Sequence, residues 1–182
     1  MSSRNAKVTA VCSSSSHGFS KKVGNAIEIV AGHGVKDDAH AGSKVQHLSR
    51  VKADPSQPNL RQVHLIHAEL FAEFAAEGFD IHPGDLGENI TTCGIELLKL
   101  GRGTLLQIGN NAVLEVTGLR NPCHQIDAFA PGLLRLVAVK TPNGIIRKAG
   151  IMTIVREGGI VRADDAITVT PPSGAHIALE RV

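Results

Sequence analysis

The chain has 182 residues, 42% hydrophobic and 20% charged, enough for one domain with a self-sufficient core and too apolar for global disorder. Lys plus Arg number 19 against 17 Asp plus Glu, a formal charge of only +2, which excludes a protein whose main task is coating nucleic acid or an anionic membrane. With no Trp, no Tyr and 5 Phe, the core must be aliphatic, and the stacking platforms that grip single-stranded nucleic acid are missing.

Short apolar runs rich in β-branched residues dominate and predict strands at 8–12 and 26–30. Residues 49–59 hold two prolines and no periodicity, and are expected to form a loop. A strand follows at 62–66, then a helix over 67–77. On that helix Leu70, Phe71, Phe74 and Ala75 share an apolar face, Glu69, Glu73 and Glu77 recur every four residues opposite, and Gly78 supplies the stop. Strands at 104–108 and 113–117 flank Gly109-Asn110-Asn111 and read as a hairpin. A weaker helix is expected over 131–139, with Pro131 near its first turn. A strand at 151–156 runs into Glu157-Gly158-Gly159 and Ile160-Val161, again read as a hairpin, and a last strand covers 167–170. No internal repeat or linker divides the chain. The expectation is a single domain over 1–182, mainly β with peripheral helices, built as a barrel or a twisted sheet.

Cys12, Cys93 and Cys123 are odd in number and far apart, giving neither a disulfide framework nor a CxxC metal pair. No apolar stretch approaches the roughly 18 residues of a membrane span. The start, with Arg4 and Lys7 ahead of a short apolar run that ends in serines, does not read as a secretory leader. A soluble protein of a reducing compartment, most simply the cytoplasm, is expected.

Arg120-Asn121-Pro122-Cys123-His124 is the most informative segment. Pro122 cannot continue a strand ladder, so Cys123 is expected at a strand end, with cationic Arg120 three residues before it and His124 beside it. Nearby positive charge favours the thiolate, the reactive and metal-binding form. An unpaired cysteine can equally be a small buried hydrophobe, and both readings stay open on the residues alone. In Pro83-Gly84-Asp85-Leu86-Gly87-Glu88-Asn89-Ile90-Thr91-Thr92, two glycines permit close backbone approach. Asn89 and Thr91 offer hydrogen bonds to a phosphate or heterocycle, although a plain turn between helix and strand serves as well. Asp38-Ala39-His40-Ala41-Gly42 precedes Arg50 and Arg61, and the planar fork of Arg61 suits a phosphate. His33, His40 and His47 are seven apart, but intervening glycines deny them a common helical face, so the spacing does not indicate zinc. Lys148, after Arg147, is either a solvated cation or an anion contact. Together these segments suit an anionic, heterocyclic ligand that accepts a sulfur donor.

The order Asp38-Ala39-His40-Ala41-Gly42, Arg61-Gln62-Val63, Pro83 to Thr91 and Arg120-Asn121-Pro122-Cys123 resembles the molybdenum-cofactor sulfurase C-terminal (MOSC) domain family in its small stand-alone bacterial form, of the 6-hydroxylaminopurine reductase type. The likeness spans about 26–170. It implies a β-barrel-like fold and binding of the pyranopterin molybdenum cofactor (molybdopterin), with Cys123 as the metal ligand. It further implies Arg61, Asn89, Thr91, Arg120, Asn121 and Lys148 as cofactor contacts, and His40 or His124 as proton donor. Family members reduce N-hydroxylated compounds with electrons from a redox partner protein; others are discussed as sulfur carriers, which here would place a persulfide on Cys123. A non-catalytic pterin-binding module is the third reading. Pyridoxal phosphate belongs to the desulfurase domain of long family members, which these residues do not resemble, so this chain alone is not expected to abstract sulfur from cysteine. Two departures stand out: Asp37 and Asp164 sit where relatives commonly have glycine, the second within Ala163-Asp164-Asp165 in place of Pro-Gly-Asp.

Overall fold

The computed structural model describes residues 6–182; Arg4 lies outside the described residues. In chain order the elements are β1 Lys7–Ser13, β2 Lys22–Gly24, β3 Ile27–Val30, β4 Gly34–Val35, α1 Leu48–Ala53, β5 Val63–His67, α2 Glu69–Ala76 and β6 Ile90–Cys93. After a 3₁₀ turn at Leu97–Lys99 come β7 Leu105–Ile108, β8 Ala112–Leu119, α3 Gln125–Phe129, α4 Leu134–Val137, β9 Ala138–Thr141, β10 Gly144–Arg147, β11 Ile151–Glu157, β12 Gly159–Val161 and β13 Ile167–Thr170. No described helix is long and apolar enough to cross a membrane.

The main sheet has eight strands in the order β13-β7-β8-β11-β5-β6-β1-β2. Every pairing is antiparallel except β5 with β6, which α2 connects as a crossover. A barrel-like closure was expected; among the described residues the edge strands β13 and β2 do not pair, so the sheet is open. Backbone bonds from Val8 N–H to Asp165 O and from Ile167 N–H to Ala6 O, 2.9 and 2.8 Å, draw the turn before β13 onto β1 without completing a ladder.

The sheet separates two aliphatic cores. In β5, Val63 and Leu65 point into the larger one, with Leu106, Leu114, Val116 and Ile151. Ile66 points the other way, against Leu70 and Phe74 of α2 and Ile126, Leu133 and Val137, as the period-two alternation of a strand dictates. The helix expected over 67–77 forms as α2 over Glu69–Ala76, with His67 closing β5 instead, and the β7–β8 hairpin forms as expected, with Ile108 opposite Ala112.

Four expectations are corrected. β12 does not pair with β11 but joins β3 and β4 in a separate three-stranded sheet, because a register break at Val155/Glu157 turns the chain out of the main sheet. Residues 49–53 of the expected loop belong to α1, which buries no side chain. It stops at Asp54, which precedes Pro55 and is extended. Only Leu134–Val137 of the 131–139 segment is helical; the chain then enters a β9–β10 hairpin. Ile90–Thr92, read as part of a turn segment, belong to β6, an interior strand.

Candidate functional site

A cleft of about 250 Å³ opens on the face of β5 opposite the large core, lined among others by Phe19, Lys21, His40, His47, Arg50, Arg61, His64, Asn89, Arg120, Asn121 and Cys123. It draws together side chains from Phe19 to Cys123, far apart in the chain, and two glycines explain how. Gly84 and Gly87 have φ of +89° and +81°, and a Cβ on either would strike the carbonyl of Lys21 or of Phe19. The 83–89 loop can therefore lie directly on 19–21 and press Lys21 and Phe19 against the cleft.

Three guanidiniums meet there. Arg61 is held down to about 10 by burial and by the like charges of Arg50 and Arg120. Burial also lowers Arg120, whose guanidinium lies 5.7 Å from the Phe19 ring centroid. Arg120 Nη1 is buried and has no hydrogen-bond partner. Among the described residues no carboxylate forms a salt bridge to any of the three: Asp38 is paired with Lys21 at 2.6 Å, and Oε1 of Glu88, a carboxyl pushed up by burial, accepts from the Gly84 N–H and the Thr91 hydroxyl. Clustered, partly desolvated cations with an unmet donor are what a bound oxyanion would satisfy.

Asp38 organises the opposite wall. Its Oδ2 accepts from Lys21 Nζ, Asn89 Nδ2 and Ser14 N–H, and its Oδ1 from His40 N–H at 3.0 Å, with His40 Nδ1 at 3.4 Å. Burial would raise this carboxyl, but His40 and Lys21 outweigh it and hold it ionised, below its ordinary range. His40 stacks on His47 with centroids 4.6 Å apart and meets His17 edge-on at 5.2 Å. His47 is pushed down to about 3 by burial and by the neighbouring cations, and its buried Nδ1 has no partner. His64, also lowered by burial, donates Nε2–H to Ala149 O at 2.8 Å.

Of the expected residues, Cys123, His40, Arg61, Asn89, Arg120 and Asn121 line this cleft. Cys123 is half-buried just before α3, with Sγ 3.4 Å from Gln125 Oε1. Thr91 is fully buried behind the wall. His124 is exposed and does not line the cleft, and Lys148 lies in a second cavity, ion-paired with Glu73. Sequence reasoning passed over Lys21, His47, His64 and Phe19 as cleft residues. Lys21 is buried by tertiary contacts, its backbone bond to Gly84 O and its pair with Asp38, that no local pattern reports.

The MOSC domain profile matches residues 38–168, a span holding the Asp38 wall, the glycine loop and Cys123. The chain belongs to the MOSC domain family. No curated protein matches the sequence. Among solved structures it is similar to YuaD from Bacillus subtilis, with a TM-score of 0.75 and 24% identity over 93% of this chain and 97% of that one. It is also similar to YiiM from Geobacillus stearothermophilus (TM-score 0.63, 12% identity, 95% and 79% covered) and to YiiM from Escherichia coli (0.60, 16%, 94% and 73%). At these identities the likenesses establish a shared fold. MOSC domains are associated with the molybdenum cofactor, and the residues of this cleft fit such a group: a thiol for the metal, three guanidiniums and an unmet Nη1 for the phosphate, and unpaired ring nitrogen for a heterocycle.

Proposed function

We propose that this MOSC domain holds the pyranopterin molybdenum cofactor in the cleft through Cys123 and uses it to reduce N-hydroxylated compounds of the hydroxylaminopurine type. The supporting observation is that Cys123 lines the space where Arg50, Arg61 and Arg120 converge, none of them in a salt bridge to a carboxylate among the described residues. When bound, the cofactor supplies the two-electron chemistry of N–O cleavage, R–NH–OH + 2e⁻ + 2H⁺ giving R–NH₂ + H₂O, with electrons from a redox partner protein. The chain supplies the rest. Arg61 and Arg120 neutralise the phosphate, Asn121 lines the opening, and the rings of Phe19, His40 and His47 offer aromatic contacts to a heterocycle. With Nδ1 turned to Asp38, His40 keeps Nε2 free to hand a proton to the departing oxygen.

The experiment is metal and pterin analysis of the protein made in a host competent for cofactor synthesis. Stoichiometric molybdenum with pterin, the metal lost in Cys123→Ser while the fold stays intact, and turnover of hydroxylaminopurine with an added reductant are expected. Metal-free protein carrying labile sulfane sulfur on Cys123 would replace the proposal with a sulfur carrier. Full metal content without turnover would reduce it to a pterin-binding module.

A further inference from the structure

A second cavity, of about 460 Å³, lies on the other face of β5. His64 faces the cleft and His67, three residues on, faces this cavity, as strand alternation requires. Its volume falls in the range of small-molecule sites, and its lining has their composition: an apolar wall with a few converging polar groups. The wall is Ile95, Leu97 and Leu98, an outlet of the large core. The polar side is His67 at the end of β5, Glu69 and Glu73 one turn apart on α2, and Lys148 after β10.

The hydrogen-bond accounting leaves specific vacancies. His67, which lines the cavity, has a buried Nδ1 without a partner. Burial lowers His67, so the ring is neutral. The charges are unbalanced in one direction. Lys148 is paired with Glu73, and Lys99 with Glu96 at 2.6 Å. Glu69 has no cationic partner among the described residues; its Oε1 accepts the Gly94 N–H at 2.7 Å, which leaves Oε2 open. An anion entering here would meet three carboxylates whose two ammonium partners are already engaged, whereas a cation would meet one uncompensated carboxylate.

We infer that this cavity is a separate binding site for a small amine with an apolar body, its ammonium on Glu69, its body on Ile95, Leu97 and Leu98, and a hydrogen bond to His67. The site does not depend on the cofactor reading, since it shares no lining residue with the cleft.

The test is a titration of the ¹⁵N-labelled full chain with 2-phenylethylamine, and in parallel with 3-phenylpropionate. The amine is expected to give saturable shifts at Gly94, His67 and Leu98. Glu69→Gln keeps an oxygen for the Gly94 N–H, removes the charge, and is expected to weaken binding at least tenfold. Cys123→Ser is expected to titrate like the parent chain. The inference is overturned by an absence of saturable shifts at these amides, by equal binding of the carboxylate, or by shifts confined to residues of the cleft.

Discussion

His47 makes acid sensitivity a direct test of how the cleft is packed. Its ring is neutral in the folded protein down to about pH 3 because burial and the cations around it penalise the imidazolium, whereas in the unfolded chain it protonates near its ordinary value of about 6.5. Below that value the unfolded state binds the extra proton, so stability falls as pH falls, and the loss stops only when the folded ring itself protonates. At pH 4.5 the gap is two pH units at about 1.4 kcal/mol each, close to 3 kcal/mol from this one residue. His64 pulls in the same direction, also through burial. Asp38, held ionised, begins to cost stability only as pH drops below the unfolded carboxylate value near 4. Urea unfolding of the parent chain and of His47→Gln at pH 7.5 and 4.5 isolates the residue: the variant is expected to lose about 3 kcal/mol less across the interval than the parent. Identical losses in the two proteins would show that His47 is solvated in the folded state and that the cationic wall does not act on it.

Four further outcomes follow from the same geometry. Inorganic phosphate is expected to raise the melting temperature of the parent chain, by the equivalent of about 2.7 kcal/mol at a hundredfold excess over Kd, and Arg61→Ala is expected to lose most of that rise; an undiminished rise would remove Arg61 from the anion site. Lys21→Met leaves Asp38 buried without its ion pair and is expected to cost about 3–5 kcal/mol by denaturant unfolding at pH 7; Lys21→Met with Asp38→Asn should recover part of this, and no recovery would refute the pairing. Gly150→Ala places a Cβ against Leu65 O at φ +91° and is expected to cost upwards of about 2 kcal/mol; a smaller loss would show that the backbone there gives way. Asp37→Gly, at φ +62°, is expected to gain about 0.5–1 kcal/mol by releasing left-handed strain, measured as a shift in urea midpoint, and a loss would mean that the Asp37 side chain holds its turn.

What was legible in the sequence is what local pattern controls. Alternation in β8 and the four-residue recurrence of Glu69, Glu73 and Glu77 reported the strand and the helix because each depends on neighbours within a few positions. The partner of β12 was not legible, since its ladder to β3 joins Val161 to Ile27 and Gly158-Gly159 looks like hairpin chemistry whichever sheet the chain enters next. The two departures from the family pattern gain a meaning they lacked in sequence. Asp37 and Asp164 are the described non-glycine residues with positive φ, 62° and 69°. The glycine that the resemblance implies at both positions would suit a left-handed turn, and aspartate is among the few other residues that tolerate one.

The site shows where motif reading and physical accounting diverge. Asn89 and Thr91 attract notice as polar residues in the most specific segment, yet their side chains are already engaged inside the protein: Asn89 bonds Cys12 O, Asp38 and His64 N–H, and Thr91 bonds Glu88. A buried polar group that is fully satisfied builds a wall; one that is unsatisfied marks where something else must come. By that criterion the cleft-lining groups that await a ligand are Arg120 Nη1 and His47 Nδ1. Arg120 was visible from its place before Asn121-Pro122-Cys123. His47 was not, because the feature that singles it out, a buried ring nitrogen with no partner beside the charges of Arg61, Lys21 and Arg120, exists only once α1, β5 and the Cys123 segment have been brought together.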